Sequence, residues 1–258
     1  REATIDEEIL DCPFEVHEQH QLKLPTNIPG VSVLVRLALP GDRPLLLLQM
    51  IIQNNANQPL RLERLSLVRI NPGGRRIKGA GLAKPAFYSN GWQSWSATGA
   101  YHEGDKGRRS ILGRFQNPMV LNPGTPKAKD RNHFSGDMFG VLGDLETRIG
   151  LLAGFLSQKN HFGSLETRLG PSPSLELWAN GDGAQLPAGE RLIVDWAALG
   201  FIEIDAPDPL ESYLSAVADI HDIRSESPTP VGWCSWYHFY TDINEEVIEI
   251  NQIGRAHV

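Results

Sequence analysis

Apolar runs of strand length, separated by turn residues, are the feature that most restricts the fold of this chain. Residues 31–39 (VSVLVRLAL) and 45–53 (LLLLQMIIQ) are mainly aliphatic, and residues 40–42 (PGD) between them form a turn signal. Residues 60–70 (LRLERLSLVRI) alternate apolar and charged side chains over most of their length, as half-buried strands do. This rhythm is typical of an antiparallel, mainly β domain.

The same rhythm returns later in the chain. Residues 149–157, 174–179 and 190–204 are predicted strands, and residues 180–183 (NGDG) form a strong turn signal between the last two. Strict alternation places four side chains of the third segment on one face: Leu192, Val194, Trp196 and Ala198. The sequence has no repeat period, which disfavours a propeller or a solenoid.

A long polar segment, residues 96–138, separates the two β-rich blocks and is rich in Gly, Arg and Asp. A structureless stretch of this length is unusual inside a compact domain. The segment therefore either contains strands that the pattern does not reveal or is a functional loop, and both interpretations remain open. The acidic residues in and just after it cannot be paired from sequence, and most of them are interpreted as solvated surface charges: Glu103, Asp105, Asp130, Asp137 and Asp144.

A helix is predicted where the pattern changes, at Asp208. Asp208, Pro209 and Glu211 offer an N-cap, a first-turn proline and a side chain placed to reach back to the cap. The helix is expected to run to about His221. Residues 225–230 (SESPTP) are then a linker, because their two prolines stop a helix.

The last part of the chain has the pattern of an α/β domain. Residues 231–237 (VGWCSWY) are almost continuously apolar, which suits a strand covered on both faces in a parallel sheet. Residues 242–245 (DINE) begin a second helix. The sequence thus predicts a β domain over 1–207, a helix and linker over 208–230, and the start of an incomplete α/β domain over 231–258.

Charge and cysteine content exclude several classes of function. The chain has 24 basic and 31 acidic residues, a net charge of −7, and its basic residues are dispersed, so nucleic acid and anionic membranes are not expected partners. The apolar runs are too short to span a bilayer. Cys12 and Cys234 lie far apart and are interpreted as buried thiols, which fits a reducing, cytoplasmic location.

Two aromatic segments carry the candidate chemistry. The first, residues 88–96 (YSNGWQSWS), holds Trp92 and Trp95 among amides and hydroxyls; an indole suits the apolar face of a pyranose ring, and amides suit its hydroxyl groups. Packing in the core is the alternative. On a single strand the two tryptophans would face opposite sides, so at least one could leave the core.

The second aromatic segment contains Trp236 and Tyr237, near the end of the predicted strand. The C-terminal ends of strands build the active site of a (β/α)8 barrel, so these rings either contact substrate or pack. Other chemistries lack a signal. His17 and His20 do not have the spacing of a helical zinc motif, and residues 79–81 (GAG) are too short for a dinucleotide fingerprint, so no metal or cofactor is expected.

Residues 90–96 (NGWQSWS) and 230–240 (PVGWCSWYHFY), followed by 242–246 (DINEE), resemble glycoside hydrolase family 36, a family of α-galactosidases. The resemblance implies an N-terminal antiparallel β-supersandwich, a linking helix, and the first strand and helix of a (β/α)8 barrel. It also implies removal of terminal α-galactose from oligosaccharides, with retention of configuration and without a metal or an organic cofactor. The catalytic carboxylates are expected after Val258, so the chain itself is expected to be inactive.

The same resemblance implies the substrate-contacting residues. Trp236 and Tyr237 match the segment that lines the galactose pocket, and Trp95 and Trp92 match a sandwich loop that approaches the pocket from the same or a neighbouring subunit. Homo-oligomerisation is left open. One alternative is a stand-alone sugar-binding or scaffold β-sandwich, although a finished module gives no reason for the tail. Another is a related activity, galactosyl transfer or removal of N-acetylgalactosamine.

Overall fold

A computed structural model describes residues 4–6, 12–71, 76–77, 80–94, 96–107, 122, 124–126, 130–223, 232 and 234–255 of this chain. The chain divides into two compact units, Arg1–Asp222 and Ile223–Val258.

The larger unit is built mainly from strands. In chain order they are β1 (Thr4–Asp6), β2 (Val16–Leu24), β3 (Val31–Pro40), β4 (Leu46–Asn54), β5 (Leu60–Arg61), β6 (Arg64–Ile70), β7 (Arg76–Ile77), β8 (Ala80–Gly81), β9 (Pro85–Ser89), β10 (Gly99–His102), β11 (His133–Asp137), β12 (Phe139–Asp144), β13 (Ile149–Phe155), β14 (Gly163–Arg168), β15 (Ser174–Asn180), β16 (Gln185–Leu186), β17 (Arg191–Ile193) and β18 (Ala197–Glu203). Helix α1 (Glu211–Ile220) follows them. The smaller unit contains α2 (Trp236–Phe239) and α3 (Glu245–Arg255).

Two antiparallel sheets make up the sandwich. The larger has ten strands in the order β1-β2-β3-β4-β18-β13-β12-β9-β10, with β17 also paired to β4. The smaller has four strands in the order β11-β14-β15-β6. Two short ribbons, β5 with β16 and β7 with β8, and an isolated bridge between Lys106 and Arg131 complete the pairing in the described residues.

The first hydrophobic core contains side chains from both sheets. Phe87 on β9 and Phe155 on β13 come from the ten-stranded sheet; Phe134, Leu165 and Leu177 come from the four-stranded sheet. All five are fully buried or nearly so. Burial of aromatic and aliphatic side chains on this scale is the main force that holds two sheets face to face.

A second core lies on the opposite face of the ten-stranded sheet. Tyr213 and Ala216 of α1 pack there with Phe139, Leu152 and Trp196. The ten-stranded sheet is therefore covered by a sheet on one side and by a helix on the other. This arrangement confirms the predicted mainly β, antiparallel sandwich followed by a helix.

Two predicted strands are interrupted. Residues 60–70 form β5 and β6, and residues 190–204 form β17 and β18. Between Ile193 and Ala197 four steps along the chain oppose three on β4, since their partners are Ile51 and Leu48. The extra residue resets the alternation of side chains, as in a β-bulge. Leu192 and Val194 consequently pack in the first core, whereas Trp196 and Ala198 pack in the second, and the prediction of one shared face is wrong.

Helix α1 begins later than predicted. Its first N–H groups are bonded to main-chain oxygens, Glu211 N to Asp208 O at 3.1 Å and Tyr213 N to Leu210 O at 3.0 Å. Its N-terminus has no side-chain cap hydrogen bond, so the predicted capping box is not formed. The turn at residues 208–210 replaces the cap, because its carbonyl groups already accept these donors.

The smaller unit differs from the predicted barrel start. Val231 and Trp233 lie outside the described residues, and Trp236 and Tyr237 belong to the short helix α2 rather than to a strand. A parallel strand is stabilised by its neighbours, and no described strand pairs with this segment. The second predicted helix is confirmed as α3, whose Val247 N–H donates to the Asn244 side chain at 2.9 Å.

The sequence also led to predictions on the burial of the two cysteines and on membrane-spanning segments. Cys12 is half-buried and Cys234 is exposed, so the predicted burial of both thiols is wrong. Among the helices in the described ranges, none combines the length and the apolar character that a bilayer crossing requires.

Candidate functional site

The loop at residues 90–98, termed here the Trp92 loop, leaves the ten-stranded sheet at the end of β9 and is fastened to the four-stranded sheet. Asp137, the last residue of β11, donates its N–H to Asn90 O at 2.9 Å. Asn90 Nδ2 in turn donates to Asp137 O at 3.0 Å. This reciprocal pair holds the start of the loop at the corner where the two sheets meet.

Hydrogen bonds within the Trp92 loop fix its turn. Gly91 N donates to Thr98 Oγ1, and Gln93 N donates to Ser96 Oγ, both at 3.0 Å. Ser96 N donates back to Gln93 O at 2.9 Å. A Cβ at Gly91 would lie 2.6 Å from Ser96 Cβ, so the fold of this loop requires glycine there. Trp92 therefore projects from a turn rather than from a strand.

Trp92 pairs with a second aromatic side chain that sequence analysis missed. Its ring meets the ring of Phe162 edge to face, with centroids 4.8 Å apart and an angle of 81° between the planes. Phe162, in the connection from β13 to β14, is 40% exposed, and Trp92 is half-buried. The pair presents a partly exposed apolar surface beside the amides and hydroxyls of the Trp92 loop, a combination that suits a sugar ring.

Asp195 fixes the chain segment that carries Phe162. This buried carboxylate accepts hydrogen bonds from Ser157 Oγ at 2.9 Å, Asn160 N at 2.9 Å and His161 N at 3.2 Å. Burial lowers the pKa of the His161 imidazole, although the negative charges of Asp195 and Asp182 act in the opposite direction. A neutral His161 is therefore favoured beside the aromatic pair.

Buried polar side chains form a hydrogen-bonded row on the outer face of the four-stranded sheet, the face that is turned away from the first core. Thr125 Oγ1 donates to Asp137 Oδ1 at 2.5 Å and lies 2.6 Å from Ser164 Oγ. Asn180 Nδ2 donates to Ser164 Oγ at 2.8 Å and to Phe162 O at 3.0 Å. These hydrogen bonds thus link Phe162, through Asn180, to Asp137, and Asp137 in turn bonds to Asn90 at the start of the Trp92 loop.

Burial raises the pKa of the Asp137 carboxyl from 3.8 to about 6, although the hydrogen bond from Thr125 and the nearby Asn122 side chain act to lower it. The interpretation of Asp137 and Asp144 as solvated surface charges is wrong, since both are buried. For Asp144, burial acts to raise the pKa, but backbone N–H donors such as that of Lys84 at 2.6 Å outweigh it, so this pKa is lowered.

The polar segment at 96–138 contains strands, one of the two interpretations that sequence analysis left open; the other, a functional loop, stays a prediction. It forms β10 and β11, and residues 122–126 cover the outer face of the four-stranded sheet. Ser135 Oγ donates to Pro126 O at 2.7 Å, and a Cβ at Gly124 would lie 2.1 Å from Asn180 Oδ1. Residues 108–121 lie outside the described residues.

The four predicted site residues lie in different parts of the chain. Trp92 belongs to the larger unit, and Trp95 lies outside the described residues. Trp236 and Tyr237 are adjacent in the smaller unit and are 58% and 94% exposed. The Trp236 ring meets that of Tyr240 with centroids 4.6 Å apart. These exposed rings are available for contact with a partner of apolar character.

Phe162, Asp137 and Asp195 had no recognisable sequence signal, because their partners are distant in the sequence and are brought near only by the order of strands in the sheets. As to metals, the described ranges contain no group of three or more His, Cys, Asp and Glu side chains that could hold an ion.

No protein-family model matches this sequence, and no curated protein matches it. Solved structures do match its fold. The α-galactosidase of Lactobacillus brevis is 14% identical, with a TM-score of 0.54, over 98% of this chain and 34% of that one. The galactosidase domain of an α-galactosidase–sucrose kinase is 14% identical, with a TM-score of 0.52, over 96% and 33%.

A family 36 α-galactosidase of Geobacillus stearothermophilus, in complex with raffinose, is 10% identical, with a TM-score of 0.51, over 96% of this chain and 34% of that one. The chain therefore spans about a third of the length of each of these structures. Identities of 10–14% carry information on fold alone. This chain shares its fold with the matched third of solved α-galactosidases, among them members of glycoside hydrolase family 36.

Proposed function

We propose that this chain is the N-terminal, non-catalytic part of a retaining glycoside hydrolase that removes terminal α-galactosyl residues from oligosaccharides. The observation that carries the proposal is a fold match over 96–98% of the chain to three α-galactosidase structures. One of those structures holds raffinose, an oligosaccharide with a terminal α-linked galactose.

The Trp92 loop is the part of the sandwich that we assign to substrate. Its indole and the Phe162 ring offer apolar surface, and the loop is fixed at both ends by hydrogen bonds. A pre-organised aromatic contact loses little conformational entropy when sugar binds. Trp236 and Tyr237 are assigned to substrate separately, through the resemblance of residues 230–240 to family 36.

The catalytic carboxylates belong, on this proposal, after Val258. Retaining hydrolysis uses two carboxyl groups about 5 Å apart, one of which must donate a proton. Glu166 and Glu176 face each other on β14 and β15, but Arg64 bonds to both at 2.9 Å. Burial acts to raise the pKa of Glu166, yet hydrogen bonds from Arg64 and His133 outweigh it and lower the pKa. Such a carboxylate is a poor proton donor.

The first test is the activity of the chain itself. The purified 258-residue protein is expected to release no p-nitrophenol from p-nitrophenyl α-galactoside above the rate of an identically treated empty-vector preparation. Turnover that increases in proportion to protein concentration would contradict the placement of the carboxylates. Raffinose binding as tight as that of a protein that includes the barrel would instead support the stand-alone sugar-binding module.

The second test is Trp92→Ala in the protein that carries the barrel. Loss of an aromatic sugar contact, worth roughly 1.4 kcal/mol, should raise KM for raffinose about tenfold. Trp236→Ala should act in the same direction. Phe201→Ala is the matched control, because Phe201 is an exposed aromatic residue of β18 outside the Trp92 loop. Equal kinetic constants for Trp92→Ala, Phe201→Ala and wild type would show that Trp92 does not contact the substrate.

A further inference from the structure

The direction of the Asp195 side chain is set by an irregularity in the ten-stranded sheet. Asp195 lies between β17 and β18, where four steps along the chain oppose three on β4. Its two neighbours enter different cores, Val194 the first and Trp196 the second. The bulge frees Asp195 from the alternation of the sheet, and its carboxylate reaches the connection from β13 to β14, residues 156–162. Bulges commonly redirect a side chain in this way.

This carboxylate binds several donors of the connection at once. Asp195 Oδ1 accepts from Ser157 Oγ at 2.9 Å and from Asn160 Nδ2 at 3.2 Å. Asp195 Oδ2 accepts from Asn160 N at 2.9 Å and from His161 N at 3.2 Å. Asp195 is 6% exposed, so water competes little for these hydrogen bonds. They fix the chain up to the residue that immediately precedes Phe162.

The chain is also fixed directly after the Phe162 side chain. Phe162 O accepts from Asn180 N at 2.9 Å and from Asn180 Nδ2 at 3.0 Å. The carbonyl oxygen of the next residue, Gly163, accepts from Met138 N at 2.9 Å. A Cβ at Gly163 would lie 2.2 Å from Phe155 Cδ2, so the chain there is packed against the first core. The backbone of Phe162 is thus held on both sides, while its side chain is 40% exposed.

A surface connection does not need a buried carboxylate for its own stability. Asn160 is exposed, and water can satisfy the N–H groups of such a turn. Burial of a carboxylate costs free energy, which its hydrogen bonds must offset. What the carboxylate adds is a defined position for Phe162, whose ring meets that of Trp92 at an angle of 81°. Because an edge-to-face pair prefers a defined geometry, the position of Phe162 sets the orientation of the indole.

We propose that Asp195 is a positioning residue, which acts through Phe162 to orient the Trp92 indole for the sugar ring of the substrate. The orienting role follows from the contacts of Asp195 and Phe162. That the oriented indole receives a hexose rests on the proposed function. Since the indole is already oriented, little conformational entropy is lost when the apolar face of the sugar meets it.

The first part of the test uses the 258-residue chain without sugar, labelled with fluorotryptophan, and measures the fluorine NMR resonance of Trp92. Trp92→Phe identifies this resonance by removing it. Phe162→Leu should shift the resonance, because the neighbouring aromatic ring is lost. Asp195→Asn should shift it in the same direction, since an amide cannot accept hydrogen bonds on both of its terminal atoms. Ser157→Ala, which removes one donor, should give a smaller shift of the same sign.

Asp144→Asn is the matched control. Asp144 is another buried aspartate that binds main-chain donors, Lys84 N at 2.6 Å and Thr147 N at 3.2 Å, and neither donor belongs to the Trp92 loop. Its substitution should leave the Trp92 resonance in place.

Double variants test whether Asp195 acts through the Phe162 ring. Either Asp195→Asn or Ser157→Ala, combined with Phe162→Leu, should give the resonance of Phe162→Leu alone. The proposal would be overturned if the resonance stayed unmoved in every folded variant of Asp195 and Ser157, if Asp144→Asn shifted it equally, or if the shifts in the double variants were additive. Ser157→Ala alters a single hydrogen bond, so the test stays decisive if Asp195→Asn does not fold.

The second part measures raffinose hydrolysis by the protein that carries the barrel. Asp195→Asn should raise KM about fivefold at unchanged kcat, because apparent affinity falls with the fraction of molecules in which the indole is correctly oriented. A purely structural role would instead lower the maximal rate at constant KM, as a smaller amount of folded enzyme does. A shifted Trp92 resonance with an unchanged KM would support positioning by Asp195 and contradict the contact between Trp92 and sugar, so the two proposals can fail separately.

Discussion

Tyr213→Ala should lower the free energy of unfolding by about 4 kcal/mol, a typical cost of truncating a fully buried aromatic side chain. Tyr213 is 1% exposed and fills the space between α1 and the ten-stranded sheet, where its ring centroid lies 5.1 Å from that of Phe139. Its hydroxyl donates to Phe155 O at 2.5 Å. A Cβ at Gly154 would lie 2.8 Å from the Tyr213 oxygen, so the sheet has a glycine where the ring approaches it.

Urea unfolding monitored by circular dichroism measures this effect. Tyr213→Phe, which removes only the buried hydroxyl, should cost about 1 to 2 kcal/mol because the Phe155 carbonyl loses its donor. Leu214→Ala, on the exposed side of the same helix, should change stability by less than about 0.5 kcal/mol. A loss below about 1 kcal/mol in Tyr213→Ala would mean that α1 is not docked on the sheet as described.

Relative to wild type, the free energy of unfolding of Asp137→Asn should increase by about 3 kcal/mol as the pH rises from about 3 to about 7. The pKa of this carboxyl is raised from 3.8 to about 6 by burial. Below pH 3.8 the group is protonated in both the folded and the unfolded protein. Between 3.8 and about 6 the unfolded chain loses its proton first, so unfolding releases a proton and the stability of wild type falls with rising pH.

The difference between 3.8 and about 6 corresponds to about 3 kcal/mol, and it should be constant above pH 7. The measurement is the free energy of unfolding of wild type and Asp137→Asn at several pH values, with the difference plotted so that other titrating groups cancel. Asp144→Asn should give the opposite sign, because the pKa of Asp144 is lowered by backbone donors. A difference that does not vary with pH would mean that Asp137 is solvated.

Local patterns predicted the fold well where they reflect burial of one face. The runs at 31–39 and 45–53 correspond to β3 and β4, and the helical spacing after Asp208 corresponds to α1. Prediction failed where the observed structure departs from the simple local pattern of alternating side chains or continuous apolar residues. The extra residue opposite β4 moves Trp196 into the second core, and Trp236 lies in a helix where a strand was predicted.

The candidate site was only partly predictable. Trp92 could be selected because indoles among amides are recognisable, and glycine at position 91 is explained only by its contact with Ser96. Phe162 and Asp137 could not be selected, because each is one ordinary residue in its own segment. Their roles arise from pairing across the sheets, which depends on strand order rather than on nearby sequence.

The attachment of the Trp92 loop to strands of both sheets has a consequence for how amino-acid substitutions act in this chain. Any shift of one sheet across the other would move Asn90 relative to Asp137 and so tilt the indole. On the proposed function, substitutions deep between the sheets, at positions such as Phe87, would therefore alter sugar affinity from a distance while leaving every exposed side chain unchanged. If the Trp92 loop binds sugar as proposed, selection for binding would act on interior volume as well as on the loop itself.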